Sequence, residues 1–257
     1  MTVAEVPVGE QASRAAGNPA RRNRFVIVLV AAVLIIAASA AAVIALRWHQ
    51  RDSLTGQRPW GIPASIADGT VNLMGLAPVP ARPAPGFTLT DQDGRTVPLS
   101  GLRGKVVVLE FMDPHCTDIC PLVSQEFVDA YHDLGRSAPN VVFAAVNVNQ
   151  YFNKVPDVRV YSRAHQLITI PDWHFLTGPT AALQAVWRAY HVEVEAPNPD
   201  ADIVHTSVVY FIGPGGTERY VADPMADHTS SGTAYLPASQ IAAWGRGIAL
   251  VAKTLTR

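Results

Sequence analysis

Cysteine and charge are both scarce in this sequence, and each scarcity excludes a class of protein. The 257 residues include only two cysteines, which rules out a scaffold held by several disulfides and a zinc site of four cysteines. Charged residues make up 16% of the chain, the formal net charge is −1, and there is no basic stripe with interleaved aromatic residues. A general role in nucleic-acid binding is therefore excluded. A hydrophobic fraction of 49% is rich for a soluble protein and indicates that part of the chain lies in a membrane.

Residues 25–46 form a run of apolar side chains that only Ser39 interrupts. A helix of this length spans about 33 Å, which matches the core of a bilayer. Arginines are denser before the run than after it, so we expect a single-pass anchor in the cell membrane with the remainder of the chain on the extracytoplasmic side. The alternative is a cleaved secretory signal with its cut site at Ser39-Ala40-Ala41, although the apolar run is long for a signal.

The segments on either side of this run predict the domain organisation. Residues 1–24 are short of bulky apolar side chains and are predicted to be a disordered cytoplasmic tail. Residues 47–85 are punctuated by prolines, which predicts an extended, semi-stiff linker. The folded domain is then expected over residues 86–257.

Within this domain the sequence predicts alternating strands and helices. Predicted strands lie at 87–90, 96–99, 105–112, 141–148, 173–176, 203–212 and 218–221, and predicted helices at 116–134, 157–167, 180–190 and 237–254. Strand, helix, strand, helix, an antiparallel hairpin and a closing helix is the order of an α/β, thioredoxin-like fold.

Both cysteines lie where the predicted central strand runs into the helix that follows it. Residues four apart on a helix share one face, so Cys116 and Cys120 are expected one turn apart, as a two-thiol site. The amino end of a helix favours a thiolate, and Cys116 is the better placed of the two. We expect a disulfide between them to reduce readily. A purely structural staple is the other interpretation, although so short a loop stabilises a fold little.

Two motifs resemble those of a known family. The stretch His115-Cys116-Thr117-Asp118-Ile119-Cys120-Pro121 resembles the Cys-Pro-Asp-x-Cys-Pro helix start of the Sco/SenC family of copper-binding proteins. The family's second motif is a single histidine before a late strand, and Val204-His205-Thr206-Ser207 is similar to it. The sequence departs from the family at Thr117, where proline is usual, and at residues 147–152, which replace a run of acidic and basic residues.

The resemblance implies that Cys116, Cys120 and His205 are the ligands of one copper ion. Two thiolates and an imidazole suit Cu(I), and also tolerate Cu(II), better than they suit hard cations, whereas a structural zinc ion would need a fourth protein ligand. The family also implies a thioredoxin-like fold and a membrane-anchored metallochaperone, for which a thiol–disulfide oxidoreductase activity stays open. Such a protein helps to assemble the copper centre of cytochrome c oxidase, and its partner would be the oxidase's copper-bearing subunit or another copper carrier.

Two enzymatic alternatives use the same cysteines. In a thiol–disulfide reductase, Cys116 would attack a disulfide of an extracytoplasmic partner and Cys120 would resolve the mixed disulfide. A thiol peroxidase also uses this fold, but its Pro-x-x-x-Thr-x-x-Cys pattern is absent, since Thr117 follows Cys116. His205 separates the alternatives, because a copper protein needs it and a reductase does not.

A few other residues near the motifs could contribute to the site. His115 could support the thiolate of Cys116 or could point to solvent, and Asp118 could cap the helix or dock a partner. Met225 and His228 could bind a soft metal, although their spacing matches no strong template. Four further histidines have no cluster around them and are interpreted as surface or core residues: His132, His165, His174 and His191.

Overall fold

The computed structural model describes residues 59–256 of the chain. The predicted cytoplasmic tail at 1–24 and the predicted transmembrane helix at 25–46 lie outside the described residues, as does the start of the predicted linker. Within the described part, no helix combines the length and the apolar character that crossing a membrane requires. The single-pass membrane topology therefore stays a prediction.

Helices and strands alternate through most of the described chain. The helices are α1 (Asp68–Leu73), α2 (Ile119–Leu134), α3 (Val155–Ala164), α4 (Thr180–Ala189) and α5 (Ala238–Leu255). The strands are β1 (Ala77–Pro78), β2 (Thr88–Thr90), β3 (Thr96–Pro98), β4 (Val106–Met112), β5 (Val141–Asn147), β6 (Trp173–Leu176), β7 (Val194–Glu195), β8 (Val204–His205), β9 (Val209–Ile212), β10 (Glu218–Ala222), β11 (Asp227–His228) and β12 (Ala234–Tyr235).

Six of these strands form one mixed sheet in the order β1-β10-β9-β4-β5-β6. Strands β4, β5 and β6 are parallel to one another, since α2 and α3 provide the crossover connections that parallel strands need. Strands β9, β10 and β1 continue the sheet in antiparallel fashion on the other side of β4. This order confirms the predicted α/β, thioredoxin-like class of fold. Three small hairpins lie outside the sheet: β2–β3, β7–β8 and β11–β12.

Strand β4 is buried along its whole length and forms the centre of the molecule. Its side chains alternate between two hydrophobic cores, as the period of two in a strand requires. Val106 and Val108 pack with residues of α2 and α5, whereas Val107 and Leu109 pack with residues of α4 on the opposite face. The carboxyl end of β4, where the cysteine motif begins, is therefore a rigid base.

The structure differs from the predicted linker between residues 59 and 85. Ile66 and Met74 are completely buried in the core that contains α5, and β1 pairs with β10 at the edge of the sheet. A Cβ atom added at Gly247 of α5 would overlap the sulfur of Met74, so the two segments are in close contact. The prolines suggested an extended linker, but the apolar residues between them are covered by a helix far away in the sequence.

The predicted strand at 203–212 is also wrong in one respect, because it is two strands. Only β9 belongs to the central sheet, while β8 pairs with β7. His205 therefore lies on a small hairpin beside the sheet and not on the sheet itself.

Candidate metal site

The loop between β4 and α2 carries Cys116 before the helix begins. The backbone N–H of Cys116 donates to the carbonyl of Asp113 (3.1 Å), and that of His115 donates to Oδ1 of Asp113 (2.8 Å). Aspartate followed by Pro114 favours such a turn. The helix consequently starts at Ile119, and the prediction that both cysteines lie on one helical face is wrong. The Asp-Pro dipeptide was the signal in the sequence that could have shown the turn.

The two thiols are nevertheless neighbours, and neither forms a disulfide. The backbone N–H of Cys120, in the first turn of α2, donates to Sγ of Cys116 at 3.4 Å. A hydrogen bond from the Cys120 thiol lowers the pKa of Cys116, and backbone N–H groups at the helix start add to this effect against the opposing effects of burial and of the Asp113 carboxylate. Cys116 is thus the thiol that ionises.

Cys120 is only 2% exposed and behaves in the opposite way. Donating its hydrogen bond to Cys116 and being buried both raise its pKa well above that of a free thiol. The charge of Cys116, and that of Glu110 when it is ionised, raise the pKa of Cys120 further. Cys120 is therefore held as a neutral thiol behind Cys116.

Glu110 is a residue of the site that the sequence reasoning missed. It lies on β4 with only 1% of its surface exposed, and burial raises its pKa to about 8. Its Oε1 accepts a hydrogen bond from the hydroxyl of Ser207 at 3.3 Å, whereas its Oε2 has no partner among the described residues. A single acidic residue within an otherwise apolar strand was the available signal. A pKa of about 8 favours the protonated form of Glu110 at neutral pH.

The hydrogen bond of His205 leaves one ring nitrogen available as an acceptor. Its Nδ1 lies 3.0 Å from the carbonyl oxygen of Thr206, and since that oxygen can only accept, Nδ1 carries the proton and Nε2 is left as the acceptor. Burial lowers the pKa of the His205 ring, which keeps it neutral. Metal-binding histidines commonly donate their second N–H to a backbone carbonyl in this way.

Cys116 and His205 line the same cleft, which has a volume of about 650 Å³. Asp113, Asp202 and the turn at residues 231–233 are among the other residues that line it. In residues 59–256, no three side chains of His, Cys, Asp or Glu lie close enough together to hold one metal ion. The donors fit copper chemically, as two sulfurs and a neutral imidazole nitrogen, but they do not converge into a coordination shell in this structure.

The other candidate residues are placed around the rim of the cleft. The ring of His115 stacks on Phe152 with ring centres 3.7 Å apart. Asp118 occupies the N-cap position of α2, although its side chain makes no capping hydrogen bond. Its carboxylate lies 2.9 Å from Nε2 of His228, which joins the β11–β12 hairpin to the cysteine loop. Met225 is exposed.

The sequence of this chain is also similar to those of known proteins. A family model described as SCO1/SenC matches residues 78–233, which include both cysteines and His205. The "SCO1 protein homolog" of Bacillus subtilis (strain 168) is 26% identical over 132 residues, or 51% of this chain and 68% of that protein.

Two solved structures with copper bound share the fold. ScoI of Bradyrhizobium japonicum superposes with a TM-score of 0.52 at 22% identity, covering 68% of this chain and 99% of that one. ScoI of Arabidopsis thaliana gives a TM-score of 0.50 at 25% identity, covering 56% and 90%. Because the family model matches more than half of the sequence, this chain belongs to the SCO1/SenC family.

Proposed function

We propose that this chain is a membrane-anchored copper chaperone that holds copper as its cargo through Cys116, Cys120 and His205. The observation that carries the proposal is that Cys116 and His205 line the same cleft, with Nε2 of His205 left as an acceptor and the backbone N–H of Cys120 donating to Sγ of Cys116. Two soft sulfur donors and one imidazole form a donor set that copper prefers over hard cations.

The protonation states of the three groups suit the uptake of a metal cation. The pKa of Cys116 and that of His205 are both lowered, and each shift favours the form that binds a metal cation. Cys120 must lose its proton when the metal binds, and copper uptake should therefore release a proton.

Family membership supports the wider role. Copper is bound in the structure of ScoI from Arabidopsis thaliana, and the motif resemblance implies assembly of the copper centre of cytochrome c oxidase. The partner would then be the copper-bearing subunit of that oxidase or another copper carrier. We further propose that residues 25–46 anchor the chain and that the described domain lies on the extracytoplasmic side of the membrane.

A copper titration against a competing Cu(I) chelator tests the ligand assignment in the full-length chain. Cys116→Ala, Cys120→Ala and His205→Ala should each weaken binding at least about tenfold, which is ~1.4 kcal/mol. His115→Ala and His228→Ala are the controls. The ring of His115 stacks on Phe152 and that of His228 pairs with Asp118, so neither is expected to bind copper. The assignment is wrong if His205→Ala binds like the parent while either control loses copper, and a parent that binds no copper refutes the chaperone proposal.

The opposite shifts of the two thiol pKa values favour a second candidate, a thiol–disulfide reductase. The thiolate of Cys116 would attack a partner disulfide and release one partner thiol. Cys120 would then lose its proton and attack Cys116, which oxidises the cysteine pair and leaves both partner thiols reduced. His205→Ala should leave this reduction unchanged, so the rate of reduction of a model disulfide in parent and variant distinguishes the two functions.

A further inference from the structure

A carboxylate lies inside the cleft beside the proposed copper ligands. Asp113 follows the last residue of β4, is only 5% exposed and lines the cleft together with Cys116 and His205. Its charge acts on both, since it opposes ionisation of the Cys116 thiol and favours protonation of the His205 ring. Neither sequence motif draws attention to this residue.

One oxygen of this carboxylate is fixed and the other is available. Oδ1 accepts hydrogen bonds from the backbone N–H of His115 at 2.8 Å and from Nδ2 of Asn149 at 2.9 Å. Asn149 is itself buried and is held by Oδ1 of Asn147, to which its backbone N–H donates at 2.7 Å. Oδ2 of Asp113 accepts no hydrogen bond from the residues that the structure describes. A carboxylate held this rigidly, with a free oxygen in a cleft, is suited to a cation.

The charge of the site decides which copper ion benefits. Two thiolates and a neutral imidazole carry two negative charges. Cu(II) therefore neutralises the three ligands, whereas with Cu(I) the site keeps one negative charge. The additional carboxylate then attracts Cu(II) more strongly than Cu(I), because the Coulomb energy grows with the charge of the ion. Carboxylate oxygen is also a harder donor, and Cu(II) favours four-coordinate, tetragonal sites with nitrogen and oxygen ligands.

We propose that Oδ2 of Asp113 is a fourth ligand that this site offers to Cu(II) and not to Cu(I), so that Asp113 sets the oxidation state of the copper that the chain prefers. The inference rests on the proposed function as a copper protein. It adds an oxygen ligand from the end of β4 to the three donors that the family resemblance implies, and it gives Asn149 the role of positioning that ligand.

Asp113→Asn tests this ligand without removing the turn. The asparagine carbonyl can still accept the hydrogen bonds of His115 and Asn149, but the negative charge is lost. Asp202→Asn is the matched control, because it removes the same charge from an exposed side chain on the same cleft. In the full-length chain we expect Asp113→Asn to weaken Cu(II) binding at least about tenfold and Cu(I) binding less than about threefold. Asp202→Asn should change the ratio of the two affinities by less than about twofold, since solvent screens its charge.

A spectroscopic measurement on the parent chain does not depend on the variant's folding. With the carboxyl carbons of aspartate labelled with ¹³C, pulsed electron paramagnetic resonance of the Cu(II) form should show a coupling to ¹³C that Asp113→Asn abolishes. Absence of this coupling in the parent would overturn the proposal.

The titrations separate this inference from the proposed function. If the parent binds copper and Asp113→Asn leaves the ratio of Cu(II) to Cu(I) affinity unchanged, Asp113 is not a ligand, although the chain remains a copper protein. Equal weakening of both ions would show that Asp113 only shapes the loop. A parent that binds neither ion refutes the proposed function and this inference together.

Discussion

The packing of α1 against α5 gives a quantitative test of the structure, with Met74 as the residue to change. Met74 is completely buried, and its sulfur lies against Gly247. Truncating a buried methionine to alanine removes its transfer free energy and leaves a cavity, which costs about 2–5 kcal/mol of the free energy of unfolding. A linker residue would instead lie in solvent, and its substitution would change stability by less than about 0.5 kcal/mol.

A second substitution makes this test specific for the contact. Gly247→Ala should destabilise the chain by about 1–3 kcal/mol through overlap with Met74, partly offset by about 1 kcal/mol of helix propensity. In the Met74→Ala background, the added methyl group at residue 247 no longer overlaps the Met74 sulfur, while the higher helix propensity of alanine remains. The double variant should therefore be more stable than the sum of the single effects by at least about 1 kcal/mol.

Urea unfolding of the four proteins, followed by circular dichroism, measures these free energies. Trp60→Ala is the control within the same segment, because Trp60 is 93% exposed and should be neutral to within about 0.5 kcal/mol. If Met74→Ala is as neutral as Trp60→Ala, the segment before β1 does not belong to the core. If the two substitutions are simply additive, α1 does not contact α5 at this point.

Three further predictions follow from the thiols, the buried carboxyl group and the apolar run. The disulfide between Cys116 and Cys120 should have a reduction potential above about −300 mV, and a lower value from equilibration with a thiol buffer would contradict a redox-active or metal-loading pair. Burial raises the pKa of Glu110 to about 8. The Glu110 carboxylate therefore binds a proton more tightly in the folded protein than in the unfolded chain. The resulting stability is complete below the unfolded pKa and is lost as pH rises through the folded pKa. Glu110→Gln should therefore flatten the decline of stability between about pH 4.5 and pH 8, and unfolding curves that decline as steeply as the parent's would exclude this group as the cause. Finally, residues 25–46 should keep the chain in the membrane fraction, whereas soluble protein with a new amino terminus near Ala42 would show a cleaved signal.

The sequence by itself was sufficient for most of the regular structure. The apolar run of β4 and the helix that ends at Leu134 could be predicted because their signals are local. The signal of β4 is a continuous run of apolar residues, all of which are buried. The signal for the end of the helix is Gly135, which follows the last helical turn and has φ +55°. The two motifs also named Cys116 and His205, which line one cleft in the structure.

What the sequence did not reveal depends on contacts between distant parts of the chain. The prolines before residue 86 favour an extended segment locally. Ile66 and Met74 are core residues because this segment packs in the same hydrophobic core as α5. Cys116 lies before the helix because Asp113 binds the backbone of the loop, and Asn149, which follows β5, donates to the same Oδ1 atom of that carboxylate. A pattern along one strand or helix carries no information on such partners. The tertiary structure alone decides that Cys120 is buried and that Asp113 lines the cleft, because burial and charge are properties of the whole neighbourhood of a residue.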